Sequence, residues 1–398
     1  MEYFYSSKEI TIDTLLTMEN PIYSYQFNFV VDFEWLNEKT NIPMTVFYGH
    51  AHNTPMNNTT IQAIQVKIGT PIGCHHSKMM ILIYPEDTIQ IVIMTGNLIK
   101  EDWEDRIQGV WYSGMLSMAS DSSNASGSSY DSTTNFKHDF LLYLKSYNLK
   151  QMDKLVTLIQ GIDFSPITVH FIGSVPGKHY GSEFGHLKVR TVLSSIKSSS
   201  DSTASYENNE WEILHFQSSS IGSLGPSPKS YLLSEILDSF SPGENNTSKK
   251  NVNNTNKKKI KIIFPSLENV KASVGGINSG SCLPYSFQTH NRQRWITPYL
   301  YQWNSNHEKH LEKLIPHIKT YTSVGPRCVK WFILTSANFS KSAWGKLDQN
   351  NRLCINSYEC GILMDSQAPR LESLPYKYPP IKYNVTDVPF CIDILDDE

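Results

Sequence analysis

No Cys-x-x-Cys pair occurs among the six cysteines (Cys74, Cys282, Cys328, Cys354, Cys360, Cys391). Their scatter excludes a zinc-ribbon framework and a dense disulfide scaffold. The chain nowhere runs eighteen apolar residues together, so no segment reads as a membrane span. The start, MEYFYSSKEITIDTLL, lacks the basic and then apolar stretches of a secretory signal. The expectation is a soluble protein of a reducing intracellular compartment. An excess of positive charge is also missing: 35 Lys and Arg face 38 Asp and Glu, a net charge of −3. That excludes a surface-wide nucleic-acid coat and leaves room for a local basic cleft.

What is present is a globular composition, 39% hydrophobic and 12% aromatic, too apolar for a disordered chain. A length of 398 residues predicts two or three domains at roughly 150 residues each. Three polar stretches, about 117–134, 194–209 and 241–259, cannot bury a core and read as surface insertions. Between them, Met79–Tyr84, Ile89–Met94 and Val329–Leu334 carry strand grammar, while Phe136–Leu155 and His307–Leu314 have helical spacing. Interleaved strands and helices predict a layered α/β architecture.

The most informative feature is an internal repeat. His76-Ser77-Lys78 is followed by eighteen residues, then Asn97, Lys100 and Trp103 at intervals of three. His317-Ile318-Lys319 is followed by eighteen residues, then Asn338, Lys341 and Trp344 at the same intervals. All five identities recur at one offset of 241 residues; Thr95 and Thr335 also flank the asparagines, one residue out of step. A lone His-x-Lys means nothing, but five fixed positions repeated in two halves predict a duplicated domain. In extended backbone, residues two apart share a face, so each His and its Lys project together. The asparagine follows the next strand, where its alternative role is to cap a helix opening there.

Two His, two Lys and two Asn suit a phosphoryl centre. An uncharged imidazole can attack phosphorus, and the second can protonate the leaving oxygen and then activate water. Lysines and asparagines stabilise the non-bridging oxygens as charge develops. The competing metal site lacks carboxylates in both repeats and sets a lysine beside each histidine, so neither a metal nor any other cofactor is expected. Each imidazole needs an orienting partner, and Gln108 (RIQGVW) and Glu359 (SYECGIL), in strand-like contexts, are candidates.

The paired His-x-Lys…Asn modules resemble the phospholipase D superfamily. The aspartate usual five residues after the lysine is replaced by Ile83 and Val324, which resembles the tyrosyl-DNA phosphodiesterase branch. The blocks HHSKMMILIY, TGNLIKEDW, QSSSIGSLG, PHIKTYT, WFILTSANFSKSAWG and NSYECGIL are similar to that branch, from about Tyr25 to Pro389. The resemblance implies α/β architecture: two similar α-β-α sandwich domains with mixed sheets, related by pseudo-two-fold symmetry (1–173 and 174–398), with the site between them. It implies hydrolysis of the bond between a DNA 3′-phosphate and a tyrosyl peptide of topoisomerase I, without a metal, and processing of other 3′ blocking groups.

Carried over position by position, the resemblance makes His76 the nucleophile and His317 the general acid/base. Lys78, Lys319, Asn97 and Asn338 would bind phosphate, and Gln108 and Glu359 would orient the histidines. Ser220, Ile221, Gly222, Ser223, Ser340 and Lys341 would hold the DNA backbone, contacts that position a strand without reading it. Two positions depart from the family: Ile72 stands where an aromatic often stacks on a base, and Phe390 near a frequent tryptophan. The implied partner is a single-stranded or frayed DNA 3′ end; a nuclear monomer with no membrane association is expected. The alternatives are a phospholipase D-type enzyme for another phosphodiester and a catalytically inactive DNA-end-binding module.

Overall fold

The computed structural model describes residues 3–5, 10–119, 130–200, 213–242, 259–305 and 313–393. It divides into two compact units. The first comprises Met1–Pro176, Leu334–Ser336 and Asn356–Leu363; the second Gly177–Ile333, Ala337–Ile355 and Met364–Glu398. In chain order the first unit supplies β1 (Tyr3–Tyr5), β2 (Tyr23–Val31), β3 (Met44–Ala51), β4 (Ile61–Gln65), β5 (Met79–Ile83), β6 (Ile89–Met94), β7 (Arg106–Ile107), β8 (Gly109–Tyr112) and β9 (His170–Ser174). The second supplies β10 (Gly177–His179), β11 (Ile213–Gln217), β12 (Lys259–Ile263), β13 (Leu300–Tyr301), β14 (Ile315–Pro316), β15 (Thr320–Val324), β16 (Val329–Thr335, whose end belongs to the first unit), β17 (Lys346–Leu347) and β18 (Leu353–Ile355). The chain then returns to the first unit as β19 (Glu359–Met364), antiparallel to β9 with Glu359 opposite Ser174.

Seven strands of the first unit lie in the order β1-β8-β6-β5-β2-β3-β4. β2 runs parallel to β3, and β3 to β4, whereas β2–β5, β5–β6 and β6–β8 are antiparallel, so the sheet is mixed. Every residue of β5 and β6 is buried. A continuous apolar run rather than an alternating one is what a strand needs when helices cover both faces. One face packs Met80, Leu82, Val92 and Met94 against Leu15, Leu16, Phe33 and Leu36 from the helices Ile12–Thr17 and Phe33–Lys39. On the other face Trp111 meets Phe136 of the helix Phe136–Lys145, ring centroids 5.8 Å apart. This is the expected α-β-α sandwich.

Within the second unit five strands lie in the order β13-β12-β11-β15-β16. β11 is parallel to β12, β12 to β13, and β11 is antiparallel to β15. The block β4-β3-β2-β5-β6 has the same order and the same parallel and antiparallel choices. The repeat read in the sequence is therefore a repeat of topology, with each His-x-Lys leading into the strand after the parallel block.

The helix expected over Phe136–Leu155 is two. The first ends at Lys145, Asn148 takes a left-handed φ of 49°, and a second helix spans Asp153–Gly161. Asparagine tolerates that conformation and ends the first helix there. The polar stretches are narrower than their composition suggested. Asp131 Oδ1 accepts from Lys137 N at 2.7 Å and Ser132 Oγ from Phe136 N at 3.0 Å, holding the start of the first helix. The helix Gly185–Ser200 runs into the second stretch. The remainder of these stretches, and most of the expected helix His307–Leu314, lie outside the described residues.

Candidate active site

His76 and Lys78 sit on extended backbone entering β5. Lys78 Nζ donates to the carbonyl of His76 at 3.0 Å, so the lysine folds back to the histidine's side. Burial pushes the Lys78 ammonium down; the carboxylates of Glu359 and Asp102 oppose this without cancelling it. The His76 strand segment is pinned from Asn356–Leu363: His76 N donates to Tyr358 O at 2.9 Å, and Tyr358 N to Cys74 O at 3.0 Å. That register sets the next residue, Glu359, against the imidazole.

His76 Nδ1 lies 2.8 Å from Glu359 Oε2, and the same oxygen accepts from Ser336 Oγ at 2.5 Å. Burial alone would raise the Glu359 pKa, but His76, Lys78 and the Ser336 hydroxyl outweigh it and hold the carboxyl below its ordinary value. An ionised carboxylate only accepts, so Nδ1 carries the proton and the lone pair of a neutral imidazole is on Nε2. Phe29 packs beside the imidazole, centroids 5.3 Å apart, with Lys78 Nζ 5.7 Å from its ring. The neighbouring His75 is a different kind of residue. Buried between Asn28 O (3.0 Å) and Tyr147 OH (2.9 Å), it has a pKa lowered by burial to about 3 and stays neutral.

Asn97 caps no helix: the helix behind it starts at Lys100 with Ile99 at its N-cap. Its Oδ1 accepts from Val30 N at 3.3 Å, its backbone N donates to Asp102 Oδ2 at 2.5 Å, and its carbonyl accepts from Trp103 Nε1 at 2.8 Å. With Oδ1 engaged by protein, the amide NH2 is the part left to meet a ligand. Asp102, which the sequence reading missed, also pairs with Arg106. Its signal was slight, an acid between the repeated Lys100 and Trp103 without a counterpart in the second copy.

Gln108 is buried, accepting from Thr95 Oγ1 at 2.8 Å and donating to Asp102 O at 2.8 Å. Ser336 holds Glu359 in the same way that Thr95 holds Gln108. Thr95 and Ser336 stand at the offset of 241 residues shared by the rest of the repeat. The sequence reading paired Thr95 with Thr335 because both are threonines; the structural equivalent is Ser336. Thr335 Oγ1 instead donates to Cys360 O at 3.1 Å.

The second unit repeats the motif with different surroundings. Lys319 Nζ donates to the carbonyl of His317, as Lys78 does to His76. Gln217 donates to Ile318 O at 2.8 Å, and Ser219 Oγ donates to Asn338 Oδ1 at 3.0 Å. Again the asparagine is no cap. Ser340 caps the helix Lys341–Trp344, its Oγ accepting from Ala343 N at 3.2 Å.

The proposed DNA-holding positions come together in this unit. Ile221 bridges Phe339, and Gly222 N donates to Phe339 O at 2.9 Å. A Cβ on Gly222 would lie 2.6 Å from Ser340 Cβ, so only glycine fits there. Lys341 Nζ rests 5.5 Å from the centre of the Tyr231 ring. Ser223 follows in the same loop, exposed. Of the two departures, Ile72 is 72% exposed, whereas Phe390 is buried against Gly280 and is a core residue. Among the described residues no three His, Cys, Asp or Glu side chains group as metal ligands.

Two mixed sheets of one topology, each presenting His-x-Lys and a pinned Asn, define the phospholipase D-like class. The structure superposes on the crystal structure of the yeast tyrosyl-DNA phosphodiesterase with TM-score 0.77 at 20% identity, covering 98% of this chain and 99% of that one, a likeness of fold. The family model for tyrosyl-DNA phosphodiesterase matches residues 1–386. Tyrosyl-DNA phosphodiesterase 1 of Drosophila melanogaster is 32% identical over 428 residues, covering 98% of this chain and 70% of that protein. A Caenorhabditis elegans relative is 33% identical over 407 residues, covering 98% of this chain and 85% of that protein. The chain belongs to the tyrosyl-DNA phosphodiesterase family.

Proposed function

We propose that this member of the family hydrolyses the phosphodiester joining a DNA 3′ end to tyrosine, and that His76 and His317 act on the same phosphorus. His76 Nε2 attacks phosphorus, the bond to the tyrosine oxygen breaks, and His317 gives its proton to the departing phenolate. Water then loses a proton to His317 and attacks phosphorus from the side the tyrosine left. The phosphorus–nitrogen bond breaks and a DNA 3′-phosphate is released. Lys78, Lys319 and the amides of Asn97 and Asn338 stabilise the non-bridging oxygens, taking the place a metal ion fills in other phosphohydrolases. Glu359 stabilises the cation that His76 becomes when phosphorylated, and Gln108 orients His317.

The observation that carries the reading is the buried Ser336–Glu359–His76 chain, which fixes one tautomer and directs a lone pair outward from Nε2. The peptide comes from a stalled topoisomerase I, other 3′ blocking groups are accepted, and the enzyme works as a nuclear monomer. The test is cleavage of a 3′-phosphotyrosyl single strand in EDTA. Turnover undiminished by the chelator is expected; activity lost in EDTA and restored by zinc would overturn the metal-free mechanism.

A further inference from the structure

Strands β10, β18 and β17 form a separate three-stranded sheet of the second unit. Lys178 and Lys346 both stand opposite Cys354, one on each side. Directly opposed residues share a face, and residues two apart on a strand return to it. The face that carries Lys178, Cys354 and Lys346 therefore also carries Tyr180, Arg352 and Asp348. Contacts agree: Arg352 pairs with Asp348 at 2.7 Å, and its guanidinium carbon lies 5.9 Å from the centre of the Tyr180 ring.

Lys178 and Lys346 are exposed, and Tyr180 is 80% exposed, the most open aromatic of the described residues. Lys178, Lys346 and Arg352 thus share the face with Asp348, which Arg352 already engages, while Glu235, accepting from Leu347 N at 2.8 Å, also bears on Lys346, on a chain whose net charge is −3. The face also adjoins the expected DNA-holding positions. Lys346 follows Lys341–Trp344 after a single glycine, and after burial it is the charge of Lys346 that most lowers the Lys341 pKa.

We infer that this ribbon is a second contact for the DNA strand, continuing from Ser340 and Lys341 over Lys346 and Lys178 to a base stacked on Tyr180. Exposed lysines on one face following the backbone, with an open aromatic held by an arginine, are the elements of sequence-tolerant single-strand binding. The inference rests on the proposed function for its substrate and extends the strand beyond the blocked end.

The test compares wild type with Lys178→Ser/Lys346→Ser and with Tyr180→Ala. Substrates are 3′-phosphotyrosyl oligothymidylates of about four and about fifteen nucleotides, assayed across a salt series. For the long substrate the double variant should raise KM roughly fivefold and lower the salt slope by about 1.4, or about 0.7 per lysine. Tyr180→Ala should weaken the long substrate roughly fivefold or more. Unchanged kcat and KM on the short substrate show that the variants are folded. Equal KM and salt slope on the long substrate for wild type and double variant would overturn the ribbon. If wild type cleaves neither substrate, the functional reading fails, and fluorescence anisotropy with unmodified oligothymidylate of about fifteen nucleotides decides the ribbon alone. Affinity lost in the double variant supports it, and affinity retained overturns it.

Discussion

The clamp of Thr95 on Gln108 and that of Ser336 on Glu359 use one backbone design. Thr95 N donates to Gly109 O and Ser336 N to Cys360 O, at 3.0 and 2.9 Å. Gly109 N returns to Thr95 Oγ1 and Cys360 N to Ser336 Oγ, at 2.9 and 3.0 Å. What differs is a single charge: one clamp presents an amide, the other a carboxylate. A carboxylate makes its imidazole more basic and stabilises it as a cation, which suits a nucleophile that must carry a phosphoryl group. Under the proposed function, in which Gln108 orients His317, an amide fixes orientation without charge, which suits a proton carrier that must give and take with equal ease.

The asparagines make the same point. In the first unit Oδ1 is held by a backbone N–H, that of Val30; in the second it is held by the Ser219 hydroxyl. Phe29 beside His76 gives the nucleophile an apolar wall, while the loop Ser218–Ser220 lines the second copy with hydroxyls. An apolar side favours the neutral, attacking imidazole, and hydroxyls favour contact with a phosphate backbone.

The comparison breaks most completely at the nucleophile. His76→Ala should lower turnover of a 3′-phosphotyrosyl strand by about 10⁴-fold or more, measured by single-turnover assay with a folding check by circular dichroism. Residual activity within about tenfold of wild type would remove His76 from that role.

Glu359→Gln makes the two clamps alike. It keeps a hydrogen-bonding side chain but no longer requires the Nδ1–H tautomer, so kcat should fall roughly 10²- to 10⁴-fold. The same variant has a readout in stability. Glu359 has a lowered pKa in the folded state, so its contribution is present above the unfolded carboxyl value and is lost as pH falls through the folded one. Urea midpoints of wild type and variant should therefore converge below about pH 4; a constant difference down to pH 3 would contradict the ionised carboxylate.

The smallest effect falls on the hydroxyl behind it. Ser336→Ala leaves the His76–Glu359 bond in place and removes two hydrogen bonds, the one donated to Glu359 Oε2 and the one accepted from Cys360 N. A loss of about 1–3 kcal/mol in stability is expected, read by denaturation, with kcat reduced far less than by Glu359→Gln. A loss in kcat as large as that of Glu359→Gln would make the serine an equal partner.

Much of this was legible in the sequence because the repeat is strict. Five identities at one offset exposed the duplication and singled out His76 over His75, and apolar runs marked the strands over Ile89–Met94 and Val329–Leu334, the second continuing to Thr335. Burial then explains why His75 is inert, a fact no spacing carries. The pairing of Glu359 with His76 was not readable, since it depends on the segment Cys74–His76 lying beside Tyr358, residues far apart in the chain. Ser336 escaped because identity was sought where chemistry alone was kept: Thr and Ser both offer a hydroxyl at the same offset. Helix capping stood as the alternative role for the asparagines because helices do follow them, three residues later. Phe390 stood out only as a departure near a frequent tryptophan, and packing against Gly280 makes it core.

In the proposed mechanism His76 carries the phosphoryl group while His317 handles the proton. Replacing His317 by asparagine should leave attack possible and water activation crippled, so a protein–DNA adduct accumulates. Incubating His317→Asn with a 3′-phosphotyrosyl strand, quenching at alkaline pH and sequencing the modified peptide by mass spectrometry tests this directly. A phosphoramidate on His76 is expected; an adduct on any other residue, or none while tyrosine is still released, would contradict the proposed roles.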